Sequence, residues 1–210
     1  SLIGQTPLPA SKLALWSMHV VDPAGPIDLT EDARGCTLRR GSLTHHWATG
    51  MAGPGDGDSY QQTRRILELH EDWLSTRGMN LADHVLRTWW FVGNIDADYH
   101  GLVAARREHF AFHGLTRDTH YIASTGIAGV HPEPKAKLSL DSYAVAGLRE
   151  AQVEFIQSTA HLCPTQDYGV TFERATAVTY ADRRHVFLSG TASIDSAGAI
   201  LHEGDVRKQL

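Results

Sequence analysis

The feature that most constrains the fold is a nearly continuous apolar run at residues 84–92, with the sequence HVLRTWWFV. The run is rich in β-branched and aromatic residues, which favour a strand, and it lacks the polar–apolar alternation of a half-exposed strand. A strand of this kind is covered on both faces, either within the chain or at an oligomer interface. The run therefore predicts a β-sheet in which neither face of this strand is exposed to solvent.

Other apolar segments extend this strand into a sheet. Residues 43–52 have a strand pattern that is closed by a turn rich in glycine, proline and aspartate. Further strands are expected at residues 13–21, 119–123 and 138–145. These strands are separated by helical segments, and that arrangement is typical of a mixed sheet crossed by helices.

Two helices are expected between the strands. Apolar residues recur at three- and four-residue intervals after Ser59, which indicates a helix with one buried face, and Gly78 provides its stop. A second helix is expected to run from Asp96, which can cap it, to about His113. The order β-β-α-β-α-β-β predicts an α+β fold in which two helices pack on one face of a mixed β-sheet.

The chain starts the same pattern a second time near its end. Residues 183–195 form an apolar strand that runs into a turn of small hydroxyl residues and glycine, as residues 43–52 do. A complete module is expected at residues 13–146, a connector at 147–167, and the first part of a second, truncated module at 168–210. A fragment of about 40 residues buries little core alone, so its strands must pack on the first module or on a neighbouring chain.

Composition narrows the functional classes. The chain has 210 residues, of which 42% are hydrophobic and 20% charged, as expected for a soluble globular protein. The net charge of -5 disfavours a nucleic-acid partner. Cys36 and Cys163 lie far apart and are expected to be reduced thiols. No apolar stretch is long enough to span a membrane and residues 1–12 do not resemble a signal peptide, so a cytoplasmic location is expected.

The second copy resembles the opening of the YjgF/RidA family, also called the L-PSP endoribonuclease or UK114 family. Its strand runs into Ser189-Gly190 and is followed by DSAG at residues 195–198 and ILHEGD at 200–205. These segments follow the family's order of strand, SGQ-like turn, D-x-x-G hairpin and GD before a helix. The first copy resembles the family through its helix, the strand at 87–92, the Asp96 turn and the second helix.

Two modules in tandem also resemble the chorismatase branch of this superfamily, with ASTGI at residues 123–127 and YGVTFER at 168–174 near the junction. Chorismatases hydrolyse or rearrange chorismate and carry a RidA-like module at the C-terminal end. The resemblance implies a RidA/YjgF-like, chorismate-mutase-like fold and a hydrolase or lyase for a small carboxylate-bearing metabolite, without metal or organic cofactor. The leading reaction is that of an imine or enamine deaminase. The alternatives are a chorismatase-like enzyme that releases pyruvate from chorismate with its site mainly in the second module, a non-catalytic metabolite-binding or scaffold protein, and an endoribonuclease.

The family assembles as trimers with pockets between subunits, so the resemblance implies a homo-trimer or a pseudo-trimeric tandem assembly. The apolar Trp89-Trp90 strand would suit such an interface. In this family an arginine after the second helix holds the substrate carboxylate, and Arg117 matches it; a surface arginine at a helix C-terminus is the plain alternative. The family's catalytic glutamate position falls on Ser139, and Asp141 is expected to be structural or solvent-facing.

Hydroxyl groups complete the predicted site. Thr49 and Ser189 stand where the family places a hydroxyl near the ligand, and Ser124 and Thr125 precede a glycine in a turn that can cradle a carboxylate. Tyr121 points a phenol toward the same pocket or is a buried strand residue. The predicted substrate-binding set is Arg117, Thr119, Tyr121, Ser124, Thr125, Thr49 and Ser189.

The spacing of two further residue pairs bears on whether they form an ion pair or a metal site. Glu173 and Arg174 are adjacent on a strand and point to opposite faces, so they are not a pair, although either can line a pocket between modules. His109 and His113 lie four residues apart but lack the intervening glutamate of a zincin helix. No metal site is therefore expected.

Overall fold

A central six-stranded mixed sheet organises the computed structural model, which describes residues 1–7, 11–22, 25–53, 55–157, 160 and 162–209. Its strands are β1 (Asp28–Asp32), β2 (Gly35–Arg40), β3 (Leu43–Ala52), β4 (Val85–Val92), β5 (Ala123–Ala128) and β6 (Leu138–Ala146). The strand order is β1-β2-β3-β6-β4-β5, in which only β4 and β5 are parallel neighbours. The expected mixed sheet is confirmed.

Helices cover one face of this sheet. They are α1 (Ser59–Ser75), the single-turn α2 (Leu81–His84) and α3 (Ile95–Phe112), and a short α4 (Val206–Gln209) follows near the end of the described residues. Leu74 of α1 and Leu102 of α3 are 0% exposed and meet Trp90 and Leu140 of the sheet in one apolar cluster. The prediction of two helices packed on one face is confirmed.

A second, three-stranded sheet covers the other face. It contains β7 (Val153–Ile156), β8 (Ala175–Thr179) and β9 (Arg184–Leu188), paired antiparallel in that order. Val178 of β8 packs against Leu86, Tyr143 and Val145 of the large sheet. The C-terminal strands thus pack on the first part of the chain, which is one of the arrangements expected for them. β7 lies inside the predicted connector.

The apolar run of β4 is covered on both faces within the chain. Trp90 is 1% exposed in the cluster beneath the helices, and Leu86 and Trp89 belong to the cluster beneath the small sheet. The expectation that Trp89-Trp90 supplies a subunit interface is therefore wrong for Trp90, because its indole is already buried within the chain.

The helix boundaries follow from local capping. Asp58 caps α1 in a capping box with Gln61. The side chain of Asn94, and not that of Asp96, accepts a hydrogen bond from the Ala97 amide at 3.2 Å and caps α3. Asp96 lies in the first turn, so its predicted capping role is wrong.

Two expected strands are misplaced. Residues 13–21 have no regular structure, and Leu15 and Trp16 are 86% and 76% exposed, because no neighbouring strand pairs with them. The strand expected at 119–123 begins only at Ala123, which pairs with Arg87. The preceding residues form a turn in which Thr119 Oγ1 donates to the Gly114 carbonyl at 2.7 Å.

The two edges of the large sheet differ. β1, at one edge, has the sequence DLTED and all five residues are exposed. β5, at the other edge, is joined by residues of the C-terminal segment through a parallel bridge between Ala123 and Glu173. Among the described residues, no helix combines the length and hydrophobicity required to cross a lipid bilayer.

Candidate functional site

The covered edge of β5 brings together predicted site residues from distant parts of the chain. The Ser124 amide donates to Ser189 Oγ at 2.8 Å, and the Gly190 amide donates to the Ser124 carbonyl at 3.2 Å and to Thr125 Oγ1 at 2.8 Å. Ser189 Oγ in turn donates to the Glu173 carbonyl. Ser124, Thr125 and Ser189 therefore form one hydroxyl cluster between the large sheet and the C-terminal segment.

A buried arginine from α3 approaches this cluster on the helix side. Arg106 is 2% exposed and donates through Nη1 to Ser124 Oγ at 3.3 Å and through Nε to Thr171 Oγ1 at 3.2 Å. Thr88 Oγ1 also donates to Ser124 Oγ, at 2.9 Å. The Nη2 atom of Arg106 is buried without a hydrogen-bond partner, and burial lowers the pKa of this guanidinium.

A second buried arginine lies in the C-terminal segment. Arg174 is 4% exposed and donates from Nε and Nη2 to the Cys163 carbonyl at 3.1 and 2.8 Å, while Nη1 has no partner. The Cζ atoms of Arg106 and Arg174 lie 6.0 and 5.8 Å from the ring centroid of Phe172. Within the described part of the chain neither arginine forms an ion pair. Two uncompensated cations therefore flank one aromatic ring.

A third buried arginine, Arg87, lies on the opposite face of the sheet. Arg87 is 5% exposed, donates to Thr125 Oγ1 and to the Thr88 carbonyl, and stacks over the Trp89 ring at 4.8 Å. Burial lowers the pKa of its guanidinium to about 10. Because successive strand residues point to opposite faces, Arg87 and Arg106 contact this edge from different sides.

A buried carboxyl, that of Glu173, lies in the same C-terminal segment as Arg174. Oε1 of Glu173 accepts from the Tyr121 amide at 2.5 Å and from Gln157 Nε2 at 3.4 Å, while Oε2 is buried without a partner. Burial raises the pKa of this carboxyl, and the two hydrogen bonds and His120 offset part of the rise. A carboxyl held toward its protonated form is suited to donate a proton. Glu173 and Arg174 have separate partners, as expected from their adjacency.

The remaining predicted residues lie outside the hydroxyl cluster or form hydrogen bonds that stabilise a backbone turn. Arg117 is exposed in the turn before β5, and it lowers the pKa of the Tyr121 phenol against a larger rise caused by burial and Glu173. Thr119 closes that same turn. Thr49 lines a separate groove of about 290 Å³ on β3, together with His131, and two strands separate β3 from β5.

The position expected for the family's glutamate has no acidic group. Ser139 is 0% exposed and its Oγ has no hydrogen-bond partner. Asp141 Oδ1 accepts from the Gly50 amide at 2.7 Å, where β3 bulges against β6 and Gly50 has φ of 61°. Asp141 therefore shapes the backbone of this bulge.

Sequence reasoning missed Arg87, Arg106 and Thr171 as site residues. Arg106 lies between Leu102 and Phe110 at four-residue spacing, on the buried stripe of α3. Arg87 is the one charged residue in the otherwise apolar strand β4. In both elements an arginine interrupts a run of buried apolar positions. That interruption could have indicated a buried cation with a functional role.

The fold is similar to that of a chorismatase. That crystal structure matches 88% of this chain with a TM-score of 0.54 and 23% identity, and the chain spans 55% of the chorismatase's own length. Sequence comparison adds nothing further, because no protein-family model and no curated protein matches the chain. The predicted resemblance is thus confirmed at the level of the fold.

Single-module structures show a looser likeness. Rv2704 from Mycobacterium tuberculosis, a member of the YjgF/YER057c/UK114 family, is 26% identical with a TM-score of 0.40, over 51% of this chain and 82% of its own. The YjgF gene product from E. coli is 18% identical with a TM-score of 0.44, over 62% of this chain and 99% of its own.

Proposed function

We propose that this protein is an enzyme of chorismatase-like fold that acts on a small carboxylate-bearing metabolite, with chorismate as the first substrate to test. The observation that carries the proposal is the pair of buried guanidinium groups of Arg106 and Arg174, each with one amino nitrogen unpartnered. A buried cation without a counter-charge costs several kcal/mol. A substrate carboxylate supplies that counter-charge and accepts from the planar N–H groups of an arginine.

Glu173 is the proposed acid. Hydrolysis of the enol ether of chorismate begins with transfer of a proton to the terminal methylene carbon. Water then adds to the adjacent carbon, and its surplus proton returns to the Glu173 carboxylate. The hydroxyl proton of the resulting hemiketal moves to the ether oxygen as the bond between that oxygen and the carbon breaks, which releases pyruvate and the ring alcohol. The raised pKa of the buried Glu173 carboxyl and its free Oε2 support the first of these roles.

The test is pyruvate release from chorismate by the purified protein, followed with a coupled lactate dehydrogenase assay. Arg106→Lys retains the charge but loses the planar fork, so kcat/KM is expected to fall about tenfold to a hundredfold. Arg107→Lys, on the exposed side of the same helix, is the matched control and keeps full activity. Glu173→Gln is expected to lower kcat, whereas the exposed Glu154→Gln does not.

Absence of pyruvate with the unmodified protein would remove the chorismatase proposal. Hydrolysis of 2-iminobutyrate, compared between the unmodified protein and Arg117→Ala, then tests the deaminase alternative.

Binding of chorismate without turnover, seen as a rise in Tm, would favour a non-catalytic metabolite-binding role. RNA cleavage that persists through repurification would favour the endoribonuclease alternative. The mass in solution tests the proposed trimer.

A further inference from the structure

We propose that Glu71, His109 and His113 form a binding site for a divalent transition-metal ion, with Zn²⁺ as the expected ion. His109 and His113 lie one turn apart on the same face of α3, and Glu71 lies on the neighbouring helix α1. None of the three contacts the hydroxyl cluster or the buried arginines. The expectation of no metal site rested on spacing along the sequence, whereas the third ligand comes from another helix.

The three side chains already converge. Glu71 Oε2 lies 3.2 Å from His109 Nε2, and Glu71 Oε1 lies 2.8 Å from His113 Nε2. One potential ligand atom from each of the three residues lies within 4.8 Å of the other two. A tetrahedral zinc ion with bonds of 2.0–2.1 Å spaces its ligand atoms about 3.3 Å apart. Small side-chain rotations therefore suffice to admit the ion, and water can complete its coordination.

The imidazole groups are suited to act as ligands. His109 Nε2 is buried and, despite its distance to the carboxylate, lacks hydrogen-bond geometry to any partner among the described residues. Metal binding requires a neutral imidazole with a free lone pair.

The charges around the three ligands favour a cation. Two further carboxylates, those of Glu68 and Asp72, lie near Glu71 on α1. The nearby Arg64 is paired with Glu68 at 3.4 Å. A bound dication relieves the repulsion between the carboxylates and keeps Glu71 ionised.

The site is partly open to solvent. The side chains of His109, Glu71 and His113 are 12%, 26% and 27% exposed. This exposure permits entry of an ion and a water ligand. Because the ligands join α1 to α3, the bound ion stabilises the helical layer by preferring the folded state.

Isothermal titration of the metal-stripped protein with ZnCl₂ tests this proposal. We expect one ion to bind per chain and the Tm to rise with added Zn²⁺. Glu71→Gln, His109→Ala and His113→Ala each remove one ligand, and each is expected to weaken Zn²⁺ binding at least about tenfold. His100→Ala, an exposed histidine on the same helix, is the matched control and retains the full affinity.

Co²⁺ provides a second readout, which reports the coordination geometry directly. A visible absorption band of tetrahedral Co²⁺ is expected for the unmodified protein and for His100→Ala, and is lost in the three ligand variants. Zn²⁺ affinity that is absent in the unmodified protein, or unchanged in all three ligand variants, would overturn the proposal. Pyruvate release from chorismate is independent of either outcome.

Discussion

Arg87, Arg106 and Arg174 are each at most 5% exposed, and hydroxyl and carbonyl oxygens are their hydrogen-bond partners. Such groups satisfy the donors of a guanidinium but do not neutralise its charge. The unpartnered Nη atoms of Arg106 and Arg174 are consequently the strongest residue-level indication of an anionic ligand. Arg87 differs because Thr125, Thr88 and the Trp89 ring all contact its guanidinium.

Another buried group, His70, makes stability depend on pH. His70 is 0% exposed, its Nε2 lies 2.7 Å from Ser142 Oγ, and burial followed by the charge of His109 lowers its pKa to about 3. Below about pH 6.5 the unfolded chain binds a proton that the folded chain does not. The free energy of unfolding therefore falls as the pH decreases from 6.5 to 4.5, by about 1.4 kcal/mol per pH unit for this residue.

Urea unfolding of His70→Gln between pH 7 and 4.5 measures this contribution. The slope of stability against pH is expected to be shallower than in the unmodified protein, and unchanged in the exposed His100→Gln. His45 and His46, whose pKa values burial also lowers to about 4, contribute in the same direction in both variants. Equal slopes in all three proteins would contradict the assignment.

At the scale of elements, the start of α3 contains two residues that could each cap the helix, Asn94 and Asp96, and only Asn94 does so. Asn94 accepts a hydrogen bond from the Ala97 amide, whereas Asp96 lies within the first turn. Asn94→Ala is expected to lower the free energy of unfolding by about 1 kcal/mol. Asp96→Ala removes only a favourable interaction with the helix dipole, so its effect is expected to be smaller. Chemical denaturation of the two variants checks the order, and a larger loss for Asp96→Ala would reverse the assignment.

Close approach of the two long helices depends on one glycine. A Cβ atom on Gly101 of α3 would lie 2.2 Å from Ser59 Oγ and 2.7 Å from the Tyr60 amide nitrogen. Gly101→Ala is therefore expected to destabilise the protein by about 1–3 kcal/mol through overpacking, although alanine favours a helix. Ala111→Gly, at an exposed position of the same helix, measures the helix-propensity effect alone. Thermal unfolding that shows Gly101→Ala to be stabilised would contradict this packing argument.

Periodicity predicted the elements that bury a continuous face. α1, β3, β4 and β6 match their expected positions because each has an apolar pattern and a neighbour to pack against. Residues 13–21 have the apolar content of a strand, but apolar content does not supply a pairing partner. The start of β5 is set by its pairing of Ala123 with Arg87, which no local pattern contains.

For the whole molecule, the central sheet is buried between the helices and the small sheet. Val178 is 0% exposed where the small sheet meets Leu86, Tyr143 and Val145. Val178→Ala is expected to lower the free energy of unfolding by about 1–3 kcal/mol, because it removes buried methyl groups at this contact. Val186→Ala on β9, where the side chain is 50% exposed, is the control with a smaller effect.

Hydrogen exchange locates the effect of Val178→Ala. If the two sheets unfold together, amide exchange is expected to accelerate in β4 and β6 as well as in β8. Acceleration confined to β7, β8 and β9 would show that the small sheet opens alone.

The candidate site could be predicted only in part, because it combines segments distant in sequence. The family resemblance indicated Ser189, and a predicted turn indicated Ser124 and Thr125. These three residues meet, although residues 124 and 125 lie in strand β5 and the predicted turn is wrong. The burial of Arg106 beside Thr171 depends on contact between α3 and the C-terminal segment, which no spacing in the sequence specifies. For the same reason, the sequence did not indicate Glu71 as a partner of His109 and His113, because Glu71 lies on a different helix.

The acidic strand β1 has a consequence for how molecules of this protein meet. An uncovered strand offers free amide and carbonyl groups to the same strand of another molecule, which is a route to aggregation. Three of the five residues of β1 are aspartate or glutamate, so two such strands brought side by side repel each other. With the start of β5 bridged to its own chain, the large sheet is expected to resist edge-to-edge growth in concentrated solutions.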